Sequence, residues 1–296
     1  MKCLKNEPLK KHTSFRIGGP AAYFLQPKNM EELIEALKFA KERKLMYSVM
    51  GAGSNLLVLD KGFPGLVIKI AGGFNDIKIR GRTVKVGAGV LLPRLINYLA
   101  RKGLGGLEFL AGIPGTVGGA VVMNAGAWGK EIGDFVQSVK VLDNKGKVQI
   151  IEGRKMQMGY RRSIFHKAKL IIFEMVLKLR KSRSKMVRNR ISEFLRQRRM
   201  SQPLGIPNAG CVFKNPKGRF AGKPCLPAGK LIEEAGCKEM RVGDAQVSAK
   251  HANFIVNLGD AKARDVLKLL TRVQRMVKER FKVQLEPELK IMIKSQ

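Results

Sequence analysis

The segment most restrictive for folding is residues 111–129, which carry no charged side chain although the chain has 57 Lys and Arg. The segment is about as long as a transmembrane helix, but its six glycines, one proline and one asparagine would make a poor lipid-facing helix. Glycine at this density costs roughly 0.5–1 kcal/mol of backbone entropy per residue. We therefore predict a loop whose backbone closely approaches a large ligand, and no transmembrane segment.

A neutral loop with exposed backbone amides suits a pyrophosphate beside a flat ring. We call residues 112–126 the second glycine loop. Its expected cofactor contacts are Gly112, Ile113, Pro114, Gly115, Thr116, Gly118, Gly119, Ala120, Asn124, Ala125 and Gly126.

A shorter glycine-containing segment, the first glycine loop, follows a predicted strand directly. It lacks the third glycine of a dinucleotide-binding fingerprint and the Gly-Lys-Ser/Thr of a P-loop. Taken alone it favours a plain turn over a ligand-binding loop. Its expected cofactor contacts are Gly51, Ala52, Gly53, Ser54 and Asn55.

The charge of the chain is strongly positive, with a formal net charge of +34 and a pI near 10.4. Such a field attracts nucleic acid, anionic lipid and phosphorylated small molecules alike, so charge cannot choose among them. The 296 residues are enough for two or three domains. Four cysteines without CxxC spacing and a polar, basic beginning without a signal peptide predict a reduced, cytoplasmic setting.

Hydrophobic periodicity predicts alternating helices and short strands. Asn29 followed by Glu32 resembles a capping box at the start of the first helix. We predict helices at 30–43, 231–235 and 261–281, and strands at 47–50, 56–59, 67–70, 77–79, 83–86, 139–142, 148–151, 170–179 and 254–256.

Residues 178–199 contain ten basic side chains and one acid, and Val187, Ile191, Phe194 and Leu195 form one apolar face. A nucleic-acid-binding helix is one interpretation. We favour a connecting helix with a charged solvent face, because no aromatic residues interleave the basic ones.

Several motifs occur in an order that is highly specific and covers nearly the whole chain. Together with the two glycine loops they make the chain similar to UDP-N-acetylenolpyruvoylglucosamine reductases, in their compact class without an extra substrate-tyrosine loop. The motifs are HTSFRIGG at 12–19, GYRRS at 159–163, AGCVFKNP at 209–216, AGKLIEEAG at 228–236 and KHANFIVN at 250–257.

The resemblance implies an α+β fold with a flavin domain of the vanillyl-alcohol oxidase/p-cresol methylhydroxylase type in two α/β subdomains, plus a C-terminal α/β substrate domain. We place the subdomains at 1–72 and 73–200, the latter joined by the C-terminal segment 285–296, and the substrate domain at 201–284. Both glycine loops would hold FAD. With three histidines, none beside the first glycine loop, we expect noncovalent FAD and no metal site.

The implied reaction transfers hydride from NADPH to flavin N5 and then to the enolpyruvyl double bond of a UDP-sugar, giving UDP-N-acetylmuramate for peptidoglycan. By resemblance, Arg161 in GYRRS stabilises the enolate, and Arg162 is the solvated neighbour. Cys211 replaces the family's usual proton-donating serine, and a thiol, with an ordinary pKa near 8.5, remains a feasible proton donor. A small buried cysteine is the structural alternative.

The LEPELK segment at 285–290 resembles the family's LEPEVR, which assigns the catalytic glutamate to Glu288 and makes Glu286 a surface acid. Lys290 replaces an arginine and loses its bidentate geometry. A diphosphate-sugar pocket also needs donors. The expected substrate contacts are Tyr160, Lys214, Asn215, Lys250, His251 and Asn253. Tyr160 could equally be a packing residue, and a lone histidine such as His251 is more often a core or surface residue than a catalytic one.

Other functions fit parts of the sequence. A different FAD-dependent oxidase, acting on small hydroxy acids or polyols, would share the flavin loops, and a nucleic-acid-binding protein would share the charge. We expect a monomer that binds its UDP-sugar substrate and NADPH, associates weakly with anionic membrane surfaces and binds no specific nucleic acid.

Overall fold

The computed structural model describes residues 2–166, 170–217, 219–220, 223–224 and 226–292. The chain divides into two compact units. The first unit contains residues 1–4, 23–52 and 65–198, and the second contains residues 5–22, 53–64 and 199–296. The boundaries of the three expected domains stay a prediction.

The first unit is built around a five-stranded antiparallel sheet. Its strands lie in the order Val148–Glu152, Val136–Leu142, Ile171–Lys178, Thr83–Gly87 and Ile77–Arg80. Tyr47–Met50 pairs in parallel with residues 66–69. The helices are α1 (Met30–Glu42), α2 (Leu92–Arg101), α3 (Val117–Val122) and α4 (Ser184–Ser201), of which α4 ends in the second unit, and the short strands are Leu104–Gly105, Gly126–Ala127, Lys130–Glu131 and Arg180–Lys181.

The second unit contains a four-stranded antiparallel sheet in the order Asn208–Cys211, Phe254–Asn257, Ala245–Val247 and Arg241–Val242. Its helices are α5 (Ala228–Glu234) and α6 (Ala263–Phe281), and Arg219–Phe220 pairs with Lys223–Pro224. Three strands carry the chain between the units: Leu4–Pro8, Pro20–Leu25 and Phe63–Lys69.

The C-terminal strand Lys290–Met292 pairs in parallel with Leu56–Val58. We expected the segment 285–296 to join residues 73–200, whereas its strand pairs inside the second unit with residues that we placed in the first subdomain. Residues 293–296 of that segment lie outside the described residues.

All predicted helices and strands form, with shifts of a few residues at their ends. The correction concerns the basic run, because α4 begins only at Ser184, and Arg180–Lys181 forms a strand with Leu104–Gly105. Asn29 caps α1 as expected by accepting from the Glu32 amide at 2.9 Å. The Glu32 carboxylate returns to the Lys28 amide rather than to Asn29, so the capping box is incomplete.

Helix α4 packs as a connecting helix, since Val187 and Ile191 are buried in the core of the first unit. Among the residues that the structure describes, no helix is both long enough and apolar enough to cross a membrane.

Helix α6 is the longest helix of the second unit, and its predicted apolar face is buried. Its first turn is capped from far away in sequence. The Asp60 carboxylate accepts from the amides of Ala263 at 2.8 Å and Arg264 at 3.1 Å, which satisfies two donors that the helix cannot satisfy itself.

We predict that Asp60→Ala lowers the free energy of unfolding by about 1 kcal/mol, because it leaves the amides at the start of α6 without their acceptor. Urea unfolding monitored by circular dichroism measures the change. Asp260→Ala is the matched control, since Asp260 is an exposed carboxylate close to the same helix start. Equal unfolding free energies for the two variants would contradict the capping role.

Candidate functional site

The second glycine loop turns into the short helix α3 at Thr116. The Thr116 side chain is buried and accepts from the Gly119 amide at 3.2 Å, so it caps the helix. Gly112 and Gly115 have φ values of 78° and 135°, which residues with a β-carbon rarely adopt. The glycines are therefore required by the path of the backbone.

The two glycine loops meet within the first unit. A β-carbon placed on Gly51 would lie 2.4 Å from the Thr116 hydroxyl, so no larger residue fits there. Several backbone amides of the two loops donate to no residue in the described part of the chain. These amides belong to Gly51, Ala52, Gly112, Gly115 and Thr116.

Such a cluster of backbone donors suits an anion, because convergent amides bind phosphate groups without needing a charged side chain. The loops therefore fit the diphosphate of the FAD that the sequence implies. In the described residues, no group of three or more His, Cys, Asp or Glu could hold a metal ion.

Arg161 lies at the tip of a tight turn that contacts the second glycine loop. Gly159 and Arg162 exchange two backbone hydrogen bonds of 2.9 Å, which leaves Tyr160 and Arg161 as the turn residues. Arg161 has a φ of 52°, an uncommon value for a side chain of this size. Its guanidinium donates to the Gly126 carbonyl at 3.0 Å and lies 5.0 Å from the Tyr160 ring centre.

Asn124 joins this turn to the loop and is itself fully buried. Its amide nitrogen donates to the Gly159 carbonyl at 3.0 Å and to Glu131, and its amide oxygen accepts from Gly133. Ser163 donates to the Val122 carbonyl at 2.7 Å. The structure thus brings Arg161 and Tyr160 to the second glycine loop, whereas Arg162 is exposed as predicted.

Arg198, a buried cation at the start of the second glycine loop, is not among the predicted site residues. Its guanidinium donates to the Ala111 carbonyl at 2.7 Å and lies 4.8 Å from the Trp128 ring centre. One signal was present in the sequence, because Arg198 continues the 4-3-4 spacing of Val187, Ile191 and Phe194 along α4.

Cys211 lies at a bulge in the second unit. The strand Asn208–Cys211 shifts register against Phe254–Asn257 between Asn208 and Cys211, and Gly210 has a φ of 76°. Bulges of this kind redirect a side chain locally. Cys211 is half-buried, which differs from the fully buried cysteine of the structural alternative.

Glu288 is placed by backbone hydrogen bonds next to the segment that carries Cys211. The Glu288 amide donates to the Val212 carbonyl at 2.8 Å, and the Lys214 amide donates to the Glu286 carbonyl at 2.9 Å. Asn55 joins the same segment, since its side chain donates to the Glu288 carbonyl at 3.3 Å. Within the second unit, Cys211, Lys214, Glu288 and Asn55 are therefore neighbours along one backbone framework.

Two lysines and a second glutamate lie near Glu288. Burial lowers the pKa of Lys290, the positive charge of Lys214 lowers it further, and Glu288 raises it. Lys214 also pairs with Glu286 at 3.2 Å, and the Glu286 side chain is 73% exposed, as expected of a surface acid. Lys214 and Lys290 are the cations of this part of the unit that could meet an anionic group of a substrate.

The remaining predicted substrate residues make contacts within the protein. Asn253 is buried, and its amide binds both the N–H and the C=O of Phe213, at 2.9 and 2.8 Å. The Asn215 side chain accepts from Ala228 at the start of α5, and the Lys250 ammonium donates to the Arg199 carbonyl. Their roles in substrate binding stay predictions.

The three predicted catalytic residues are divided between the units, with Arg161 in the first and Cys211 and Glu288 in the second.

Comparison with known proteins decides the family. Residues 21–152 match an FAD binding domain, and residues 202–292 match the C-terminal domain of UDP-N-acetylenolpyruvoylglucosamine reductase.

UDP-N-acetylenolpyruvoylglucosamine reductase 2 of Symbiobacterium thermophilum is 47% identical over 96% of this chain and 90% of its own. The reductase of the same name from Moorella thermoacetica is 46% identical over 98% of this chain and 93% of its own. The chain belongs to the UDP-N-acetylenolpyruvoylglucosamine reductase family.

A solved structure of this family supports the fold as well. The reductase from Thermus caldophilus is 41% identical, covers 98% of both chains and superposes with a TM-score of 0.81. The predicted α+β fold class, a flavin-binding domain combined with a C-terminal domain, is confirmed by these matches.

The His251 side chain packs against its neighbours in the second unit. Its Nδ1 accepts from the Asn253 amide at 3.2 Å, and its ring contacts Phe254 edge-on at 5.0 Å. Burial lowers its pKa, an effect that Glu233 opposes and Lys238 reinforces.

We predict that this burial makes the protein less stable in acid. As pH falls below about 6.5, the unfolded chain binds a proton on His251 before the folded chain does, so the free energy of unfolding decreases. His251→Gln should remove this part of the pH dependence. Urea unfolding between about pH 5 and 7.5 tests it, and a constant difference between the two proteins at every pH would contradict it.

We further predict that Asn253→Ala lowers the free energy of unfolding by about 2 kcal/mol or more, because it leaves two buried backbone groups of Phe213 unsatisfied. Asn189→Ala, which truncates an exposed amide on α4, is the control and should change stability by less than about 0.5 kcal/mol. If Asn253→Ala unfolds at the wild-type urea concentration, Asn253 has no structural role.

Proposed function

We propose that this chain is an FAD-dependent reductase that uses NADPH to convert UDP-N-acetylglucosamine enolpyruvate to UDP-N-acetylmuramate, a step in making peptidoglycan precursors. The observation that carries the proposal is 47% identity over 96% of the chain to a protein named for reduction of this substrate. The FAD binding domain match supports the cofactor.

FAD, when bound, supplies the hydride transfer. The chain's own part is to hold the diphosphate, and the amides of Gly51, Ala52, Gly115 and Thr116 are the donors that we assign to it. Thr116 helps to fix these groups, since it caps α3 and lies against Gly51. Fixed donors bind an anion without a further cost of reorganisation.

Arg161 is proposed to bind the substrate carboxylate while it becomes enolate-like. A guanidinium offers two parallel donors to a carboxylate, which makes the contact strong and directional. The contacts of Arg161 with Gly126 and Tyr160 support this role, because they hold the guanidinium in one orientation.

Cys211 is proposed to donate the proton to the carbon next to the one that receives hydride. Glu288, like Arg161, is proposed to stabilise the enolate. The bulge before Cys211 and its partial exposure support access of a substrate to the thiol. Lys214 and Lys290 provide the positive surroundings that a substrate with a diphosphate and a carboxylate requires.

The direct test of the reaction is anaerobic. Protein reduced with NADPH should regain its oxidised flavin spectrum when UDP-N-acetylglucosamine enolpyruvate is added, with one product formed per flavin. An oxidase of hydroxy acids or polyols would instead be reoxidised rapidly by O₂ and reduced by those alcohols. Failure of the enolpyruvyl sugar to reoxidise the flavin would overturn the proposal.

For Cys211 we predict that Cys211→Ala leaves reduction of the flavin by NADPH within about twofold of wild type but slows the second half-reaction by about a hundredfold or more, because proton donation contributes roughly 10²–10⁴ in rate. Cys211→Ser should retain measurable turnover. Cys3→Ala, at an exposed cysteine, is the control. Stopped-flow absorbance resolves the two half-reactions, and equal slowing of both would contradict the assigned role.

The net charge of +34 supports attraction of anionic substrates and weak association with anionic membrane surfaces. We expect the KM for NADPH to rise several-fold as ionic strength increases from about 0.01 to 0.15 M, because the Debye length falls from about 30 to 8 Å. Sedimentation with anionic lipid vesicles at low salt measures the association. A KM that does not change with salt would contradict the attraction of anionic substrates, and the absence of sedimentation would contradict the membrane association.

A further inference from the structure

Arg198 is the only basic residue among the buried polar and charged residues in the described part of the chain, with 7% of its surface exposed. It lies near the end of α4 and donates to the carbonyls of Ala111 at 2.7 Å and Phe109 at 3.4 Å. Ala111 directly precedes Gly112, where the second glycine loop begins, and Phe109 lies three residues before it. The arginine therefore holds the entrance of the loop through the backbone.

The backbone of the loop packs against the aliphatic part of the Arg198 side chain. A β-carbon on Gly112 would lie 2.7 Å from Arg198 Cδ and 3.2 Å from a Leu195 methyl carbon, and Gly112 has a φ of 78°. Only glycine fits this contact without displacing the helix. The entrance of the loop and α4 are thus fitted to each other.

The far end of the loop meets the same side chain. Trp128 follows the loop by two residues, and its ring centre lies 4.8 Å from the Arg198 guanidinium carbon. The ring centres of Trp128 and Phe194 are 4.5 Å apart. A guanidinium over an indole ring is a favourable contact, and more so when partly desolvated. One side chain of α4 therefore contacts the segments on both sides of the loop.

We propose that Arg198 is a positioning residue for FAD: by fixing both ends of the second glycine loop, it keeps the loop amides convergent before the cofactor binds. The proposal rests on the FAD site described above. A loop that is already ordered loses less conformational entropy on binding, which strengthens affinity without any direct contact. The positive charge near the loop also favours a diphosphate.

Three variants test this. Arg198→Met removes the donors and keeps much of the stem, Arg198→Lys keeps the charge but loses the forked geometry, and Arg196→Met removes an exposed arginine two residues away on α4. FAD is titrated into each apoprotein, and its dissociation constant is measured from the emission of Trp128, the single tryptophan of the chain. The melting temperature of each apoprotein is measured in parallel.

We expect Arg198→Met to weaken FAD binding by about tenfold or more, Arg198→Lys by a smaller factor, and Arg196→Met by less than about twofold. The Trp128 emission of Arg198→Met apoprotein should shift to longer wavelength, because the ring loses its cover. FAD affinity of Arg198→Met within about twofold of Arg196→Met would overturn the proposal, even if its apoprotein melted lower, since that pattern reports stability alone.

If Arg198→Met does not fold, Arg198→Lys decides, and wild-type affinity with unchanged Trp128 emission in that variant overturns the proposal. The wild-type titration separates the two levels of inference. A wild-type protein that binds no FAD contradicts the proposed function, whereas tight wild-type binding with unaffected variants contradicts only the role of Arg198.

Discussion

The second glycine loop must satisfy two opposing requirements, and the surrounding structure follows from them. In the FAD site that we propose, its amides have to stay available for the cofactor, yet a segment so rich in glycine loses much backbone entropy when it is ordered. The loop is therefore held by side chains and by carbonyl groups, and not by the amides that the ligand would use. Thr116 uses its side chain to cap α3, Asn124 binds the turn that carries Arg161, and Arg198 binds the carbonyls before Gly112.

The second unit likewise positions its predicted site residues through backbone hydrogen bonds and a buried amide side chain. The segments carrying Cys211 and Glu288 are joined by backbone hydrogen bonds, and Asn253 holds the first of these segments by binding both the N–H and the C=O of Phe213. These bonds position the backbone of the segment that carries Cys211. A backbone framework of this kind would accept either a thiol or a hydroxyl at position 211, which is what the proposed Cys211→Ser comparison measures.

The elements of the fold could be predicted from the sequence because their signals are local. Apolar spacing located α6 and most strands, and glycine content located both loops. The predicted start of α4 was wrong, because a run of basic residues is compatible with both a strand and a helix. The strand Arg180–Lys181 is decided by its pairing with residues 104–105, which the local pattern does not contain.

The residues that hold the site together were less accessible to sequence reasoning, since their partners are distant in the chain. Asp60 caps a helix 203 residues later, and Asn55, expected to contact a cofactor, donates to a carbonyl 233 residues later. Arg198 was hidden among ten basic side chains, and only its helical spacing distinguished it. Family resemblance supplied roles for Arg161, Cys211 and Glu288, which the contacts of each unit then place.

A crystal structure of the protein with FAD bound tests the central claim most directly. We expect the diphosphate oxygens to lie about 2.7–3.2 Å from the backbone nitrogens of the two glycine loops, among them Gly51, Ala52, Gly115 and Thr116, with the loops unmoved. A diphosphate bound by side chains away from these loops, or loops that rearrange to receive it, would contradict a site organised before the cofactor binds.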